Sequence, residues 1–382
     1  MNQDLENVGT LILGAGPYGL SIASFMSFLQ MDYRVVGQPM AFWHSHMMDD
    51  LQMRSTLEHT CPSNPDGLSL LTNWVAQHVP NIEQRPLATL LPGEFRDFMA
   101  HFIEHFQIPI HADHAEILEK KADGFYVQLR SGKTIKAVNV VVALGPAGME
   151  NHPSWCDGLS SNIVLHSAKA ADLKWEDLRI LVIGGGQSAA EIAMKAAYGG
   201  AFQVDMAFRA NNLVFNSMHS EFTVERKRRI FRVKHAYLYS EPEFRADNIN
   251  NILPVSIEPH LKMELEAKVN LRPNCKIHSL QEDNGRVSVQ FQDGTQSAYD
   301  RLIYATGYKP DLSRLPIRLD LQHPPKQKNG LPDLTECGES STGGLFFMGA
   351  WAAYRFGPQS NFIYGSHQMV PRLIGRLARF SV

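Results

Sequence analysis

Apolar residues along the chain fall into a repeated arrangement: a short apolar run, a glycine-rich turn, then a stretch with helical spacing. "VGTLIL" at 8–13 reads as a strand, and its second half carries no strongly polar side chain, as expected of a strand covered on both faces. "LSIASFMSFL" at 20–29 then takes up helical periodicity. The arrangement recurs in mid-chain. "RILVI" at 179–183 is followed by glycines, then by the helix-forming "SAAEIAMKAAYGG", which closes on Gly199–Gly200 as a C-cap. Each unit is followed by a further strand, "YRVVG" at 33–37 and "FQVDMAFRA" at 202–210. Strands alternating with helices predict an α/β fold with parallel sheets. At 382 residues the chain exceeds what one compact core usually holds, so two domains are expected.

The turns carry the chemistry. Gly14, Gly16 and Gly19 stand in G-x-G-x-x-G spacing between the first strand and its helix. Gly14 permits the tight turn, Gly16 lets a pyrophosphate approach the backbone, and Gly19 lets the helix pack close to the strand. The helix N-terminus then offers unpaired N–H groups and a partial positive charge to the phosphates. In the second unit Gly184, Gly186 and Ala189 repeat the spacing, with alanine at the third place. The residue expected to bind the first adenosine ribose is an acid. Gln38 stands there instead, and its amide can still bond a hydroxyl. The strand after the second turn leads to Arg209, which can pair with a 2′-phosphate, so NADPH is favoured over NADH. Two dinucleotides held by one chain point to hydride transfer between a nicotinamide and a tightly held acceptor, flavin being the obvious one.

Composition narrows the picture by exclusion. The chain is 44% apolar and 20% charged, ordinary for a globular protein, and its net charge of −3 gives no general attraction for nucleic acid or anionic membrane. No apolar stretch is long enough to span a bilayer, and the polar, acidic start "MNQDLENVG" is unlike a signal peptide, so a cytoplasmic location is the default expectation. Cys61, Cys156, Cys275 and Cys337 are far apart and form no C-x-x-C pair, which argues against a disulfide scaffold, a zinc ribbon or a dithiol reductase. No metal site is expected. The basic run "ERKRRIFRVKH" at 225–235 could draw in NADPH or an acidic partner, or form a solvated helix face.

"ALGP" at 143–146 and "DRLIYATGYKPD" at 300–311 resemble the strand-to-loop crossings of flavoproteins with two dinucleotide-binding domains. "GGGQSAAE", "FWHSHMMDDLQMRSTL" at 42–57, "NPDGLSLLTNWV", "LLPGEFRDFMAHF" and "HSEFTVE" at 219–225 are similar to stretches of the flavin-dependent N-hydroxylating monooxygenases that act on ornithine and lysine. The resemblance implies two Rossmann-like domains, with the NADPH domain inserted into the FAD domain. The expected division is 1–160 for the first FAD part, 161–298 for NADPH and 299–382 for the second FAD part. It also implies FAD and NADPH as cofactors, dioxygen as co-substrate, and hydroxylation of a small molecule, with nitrogen the candidate position, through a flavin peroxide. A reductase passing electrons to a quinone or protein partner shares the same motifs and stays open as the alternative.

In that family the flavin does the hard chemistry, so binding residues are expected rather than a triad. Gln52 and Asn248 are implied near the flavin, nicotinamide and substrate, with Asn250 or Asn251 as alternates for the second role. Trp43 and His44 are implied beside the flavin. Ala15, Pro17, Gly145, Gln187, Ser188, Thr306, Gly307, Asp311 and Asn361 are further expected cofactor-binding residues. The family's lysine for a substrate carboxylate has no counterpart. Its place falls near Leu57, with Arg54 close in sequence. The tail "GPQSNFIYGSHQMVPRL" at 357–373 also lacks the family's serine–aspartate–threonine signature, so ornithine and lysine are not the expected substrates. His166, in a histidine–serine pair shared with related monooxygenases, is expected to be a hinge or packing residue.

Overall fold

The computed structural model describes residues 5–47, 49, 52–146, 148–170, 172–217, 228, 237–248 and 255–378. The stretches 219–225 and 229–235, with Asn250 and Asn251, lie outside the described residues.

The first unit begins with β1 (Glu6–Leu13), α1 (Pro17–Phe28) and β2 (Tyr33–Val36). The last four residues of β1 are all buried, because helices cover both faces of a parallel strand. Pro17 opens α1 at its first position, where a missing N–H costs nothing. Every residue from Gly19 to Ser24 is buried, so the helix is enclosed rather than amphipathic. Its two inner serines are satisfied locally: Ser24 Oγ bonds the Ser21 carbonyl, and Ser21 Oγ bonds the Ser63 carbonyl.

β3 (Ile110–His111), β4 (Ala115–Lys121), β5 (Gly124–Leu129) and β6 (Thr134–Val142) complete the N-terminal half of this sheet. β7 (Val164–His166), β8 (Arg179–Ile183), β9 (Gln203–Ala207) and β10 (Asn270–Arg272) follow. Next come β11 (Ile277–Asp283), β12 (Arg286–Phe291), β13 (Gln296–Tyr299) and β14 (Arg301–Tyr304). β15 (Arg318–Asp320), β16 (Gln327–Lys328), β17 (Leu331–Pro332) and β18 (Leu345–Phe347) end the series. The first sheet runs β15-β4-β5-β6-β1-β2-β3, and β18 adds a parallel pairing to the far end of β6. The second sheet runs β10-β9-β8-β14-β7, all parallel, and β11-β12-β13 form a separate antiparallel sheet. The fold is α/β, with two Rossmann-like units whose strand–turn–helix openings are the two glycine turns.

After residue 310, β15 and β18 rejoin the first sheet, so the second unit is set within the first. β14 lies beyond the expected boundary at 298, yet it pairs with β7 and β8 of the second sheet. "YDRLIY" divides because Asp300 turns the chain between β13 and β14 and accepts the Arg179 N–H.

Candidate functional site

The first glycine turn shows three different local constraints. Gly14 has φ +114, and a Cβ there would lie 2.4 Å from the Ala143 carbonyl oxygen. A Cβ on Gly19 would lie 1.8 Å from the Gly14 oxygen, so helix and turn close directly on each other. Gly16 has φ −92 and ψ −175, backbone any residue adopts, and a Cβ there would meet nothing within 4 Å. That open space lies at the N-terminus of α1, whose first N–H groups have no partner within the helix. The space would admit a pyrophosphate. Ala15 N would be 2.8 Å from a Cβ on Gly37, which has φ +152, so the end of β2 also presses against the turn. Gln38, exposed just beyond, donates Nε2 to the Ala112 carbonyl at 3.1 Å and keeps its carbonyl oxygen available.

The second turn repeats the geometry more loosely. Gly184 has φ +152, and a Cβ there would lie 2.7 Å from the Ala305 oxygen and 3.1 Å from the Ala189 Cβ. Ala189 therefore packs directly against this turn. Gly186 precedes the helix Gln187–Tyr198 in extended backbone. Arg209 is exposed past the end of β9 and makes no ion pair among the described residues, so its guanidinium is available to a phosphate.

Between the two units lies a cleft of about 590 Å³. Pro17, Trp43, Gln52, Gly145, Ser188 and Asn361 line it, so six expected site residues from separate parts of the chain converge. Gln52 Nε2 is buried there without a hydrogen-bond partner among the described residues. A buried amide donor left unpaired costs about 1–3 kcal/mol, which a cofactor carbonyl or ring nitrogen would recover. The glycine cradles and this orphaned donor therefore fit a flavin and a nicotinamide dinucleotide.

Other expected residues are placed differently. His44 is exposed and does not line the cleft, whereas His46 does. Both lie on α2 (Ala41–His46), where helical spacing puts Phe42, Trp43 and His46 toward the cleft and His44 away from it. The His46 ring stacks on Phe42 with centroids 4.5 Å apart, and burial lowers its pKa despite Glu150 at 3.7 Å. Gln187 does not offer its side chain to a ligand: Oε1 accepts the Glu258 N–H at 2.8 Å and Nε2 donates to Glu191 at 2.8 Å. Asn248 ends the helix Pro242–Asn248, and its side chain lies outside the described residues.

Thr306, Gly307 and Asp311 shape the second crossing rather than lining the cleft. Thr306 Oγ1 donates to the Asn151 carbonyl at 2.6 Å, and Asn151 N donates to the Gly307 carbonyl at 2.8 Å, so the two crossings are joined. His166 adds to this junction. Its Nδ1 accepts the Ala168 N–H at 3.1 Å, which leaves Nε2 to donate to the Gly307 carbonyl at 3.2 Å. The ring is packed against Tyr304 and Tyr308, and burial holds its pKa below the usual histidine range. Asp311 caps its own turn by accepting from Ser313 N and Oγ, which lowers its pKa.

Arg54 is fully committed. Its Nε donates to Glu258 Oε1 at 2.8 Å, Nη1 to the Ser256 carbonyl, and Nη2 to the Asn216 carbonyl and Ser256 Oγ. It cannot stand in for the absent substrate lysine. The Glu258 side chain is fully buried, so this pair ties the Gln52 segment to the turn that carries Gln187. Nothing local in the sequence marks Glu258, which lies 204 residues from its partner.

A family model matches residues 8–360 and describes pyridine nucleotide-disulphide oxidoreductases. The chain belongs to that family. As a pyridine nucleotide-disulphide oxidoreductase family member it is a flavin-dependent oxidoreductase. An uncharacterised CzcO-like oxidoreductase of Geobacillus kaustophilus (strain HTA426) is 23% identical over 359 residues, covering 92% of this chain and 93% of that one. The ornithine N-hydroxylase of Kutzneria sp. 744, solved with reduced FAD, NADP⁺ and L-ornithine, superposes with a TM-score of 0.80 at 14% identity, covering 98% of this chain and 100% of that one. Bacillithiol disulfide reductase of Staphylococcus aureus superposes with a TM-score of 0.66 at 15% identity, covering 97% and 99%. These likenesses establish the shared two-unit fold.

The four cysteines lie apart in the fold. All four cysteines are free. Burial pushes the Cys61 thiol up to about 11 and Cys156 up to about 12, the opposite of an activated thiolate. No group of metal-ligating side chains occurs among the described residues, and no helix among them is long and apolar enough to cross a membrane.

Proposed function

We propose that the chain is an FAD-dependent, NADPH-using monooxygenase that hydroxylates a small molecule, with nitrogen as the target atom. The observation that carries this reading is the cleft between two glycine cradles, with an orphaned Gln52 amide inside it. Bound FAD would accept hydride from NADPH and activate dioxygen. The Gly16 cradle would hold the FAD pyrophosphate, and Gln52 would donate to the flavin or the nicotinamide. Gly186, Ser188 and Arg209 would hold NADPH, with Arg209 reading the 2′-phosphate. Trp43, Phe42 and Tyr308 form apolar walls that would exclude water from the reacting atoms.

In the domain division that goes with this reading, the FAD unit is interrupted after the first crossing and resumes after Tyr304, because β14 pairs with the second sheet. The buried, raised thiols of Cys61 and Cys156 favour oxygenation over a thiolate-based disulfide reduction.

The test is stoichiometric. FAD-loaded protein, NADPH and a panel of primary amines should give one amine for which hydroxylated product approaches NADPH consumed and hydrogen peroxide falls accordingly. NADPH consumption that appears only as peroxide, or as reduced quinone, would establish the reductase reading instead.

A further inference from the structure

Two arginines on neighbouring elements carry buried guanidinium nitrogens with no partner among the described residues. Arg245, on the helix Pro242–Asn248, is only 6% exposed, and its Nε and Nη1 are buried without a hydrogen-bond partner. Arg355, on the helix Ala353–Phe356, buries Nε without a partner, and its pKa is lowered by burial and by the charge of Arg245. Neither forms an ion pair among the described residues. Arg245 lies over the Tyr354 ring at 5.5 Å, which joins the two helices without supplying a counter-charge. Of the acids near enough to act on Arg355, Asp333 is paired with Lys328 at 3.3 Å, and Glu336 is not within ion-pair distance. Trp351 Nε1, on the same segment as Arg355, is a further buried donor without an acceptor. Every orphaned group in this neighbourhood is a donor.

Guanidinium groups do not deprotonate to escape such an environment. Burying a charge without a partner is costly, as at Arg245, and a second, partly buried cation beside it adds to that cost. A fold keeps such a pair when something outside the chain completes it. From these unpaired charges we infer that Arg245 and Arg355 form an oxyanion-binding site, taking a carboxylate of the small-molecule substrate or a phosphate of the nucleotide. The planar, multiply donating guanidinium matches both oxyanions.

The pair borders the cleft without lining it. Ala353, two residues before Arg355, lines the cleft. Tyr239, which lines a second hollow of about 560 Å³, lies near enough to act on the Arg355 charge. The naming of the ligand rests on the oxidoreductase reading above; the existence of the site does not.

The experiment is a thermal-shift titration of the full FAD-loaded chain with sodium succinate and sodium phosphate, against sodium chloride at matched ionic strength. Wild type, Arg245→Met and Arg355→Gln are compared, with bound flavin checked by absorbance. Wild type should be stabilised progressively by succinate or phosphate. Each variant should melt at or above the wild-type temperature in chloride, because an uncompensated cation has been removed, and should bind the anion at least about tenfold more weakly. Arg355→Lys, which keeps the charge, should retain part of the response. Saturating NADP⁺ separates the sources. A succinate response that persists assigns the site to a substrate carboxylate, and one that disappears assigns it to a nucleotide phosphate. Variants that melt lower in chloride while their anion response equals wild type would overturn the inference. A protein that oxidises NADPH without hydroxylating any amine would fail the monooxygenase reading and still show the anion response.

Discussion

Gly16→Ala separates ligand binding from folding at the first cradle. The backbone there is extended and the added methyl meets nothing within 4 Å, so the empty protein should keep its thermal stability. The small cap penalty of alanine is offset by the reduced freedom of the unfolded chain, each about 0.5–1 kcal/mol. With FAD the balance changes, because the methyl occupies the space a phosphate needs to reach the N–H groups of α1. Losing two charge-assisted hydrogen bonds at the low end of their range removes about 3 kcal/mol, or roughly a hundredfold in affinity. Gly14→Ala is the contrasting variant. Its Cβ would strike the Ala143 carbonyl at 2.4 Å in left-handed backbone, so it should lower stability whether or not flavin is present. The assay is a flavin-fluorescence titration beside melting of the flavin-free protein. Wild-type FAD affinity in Gly16→Ala, or equal destabilisation by both variants, would refute the reasoning.

Other outcomes follow from the same geometry. Arg209→Ala should weaken NADPH use by about ten- to a hundredfold in kcat/KM while leaving NADH nearly unchanged, since one phosphate contact is lost; equal use of both nucleotides by wild type would show that Arg209 reads nothing. Arg54→Met should lower the melting temperature sharply, because the fully buried Glu258 carboxylate loses its partner at a cost of about 3–5 kcal/mol, and adding Glu258→Leu should recover most of it. His166 is held below its ordinary pKa, so the unfolded chain binds more protons, and its contribution to stability is complete above about pH 6.5 and falls as pH drops through the folded value. The slope of melting temperature between about pH 7 and 5 should therefore flatten in His166→Gln, and an unchanged slope would remove His166 from the junction's pH response.

Both strand–turn–helix units were legible because each is local: an apolar run, three small residues at fixed spacing, and a helix. Pro17, Trp43, Gln52, Gly145, Ser188 and Asn361, read as cofactor residues from separate motifs, line one cleft in the fold. What failed to show in the sequence depended on direction or distance. His44 and His46 are equally good letters, and only the phase of a six-residue helix turns the second toward the cleft. Gln187 read as a ligand residue because it follows the glycines, but a backbone N–H seventy-one residues away takes its carbonyl. The pairing of β14 with β7 and β8 was hidden for the same reason: strand partners are long-range, and the chain's small residues mark where it crosses, not which sheet it leaves.

The measurement that bears most directly on the central claim is rapid mixing of reduced, FAD-loaded protein with dioxygen, followed by flavin absorbance with and without saturating NADP⁺. A closed cleft with nucleotide bound in the second cradle predicts that oxidised flavin returns in two phases when NADP⁺ is present, the second clearly slower, and that Gly186→Val shortens the delay. A single phase at the same rate with and without NADP⁺, together with fast reoxidation by a quinone, would contradict the account and identify a reductase.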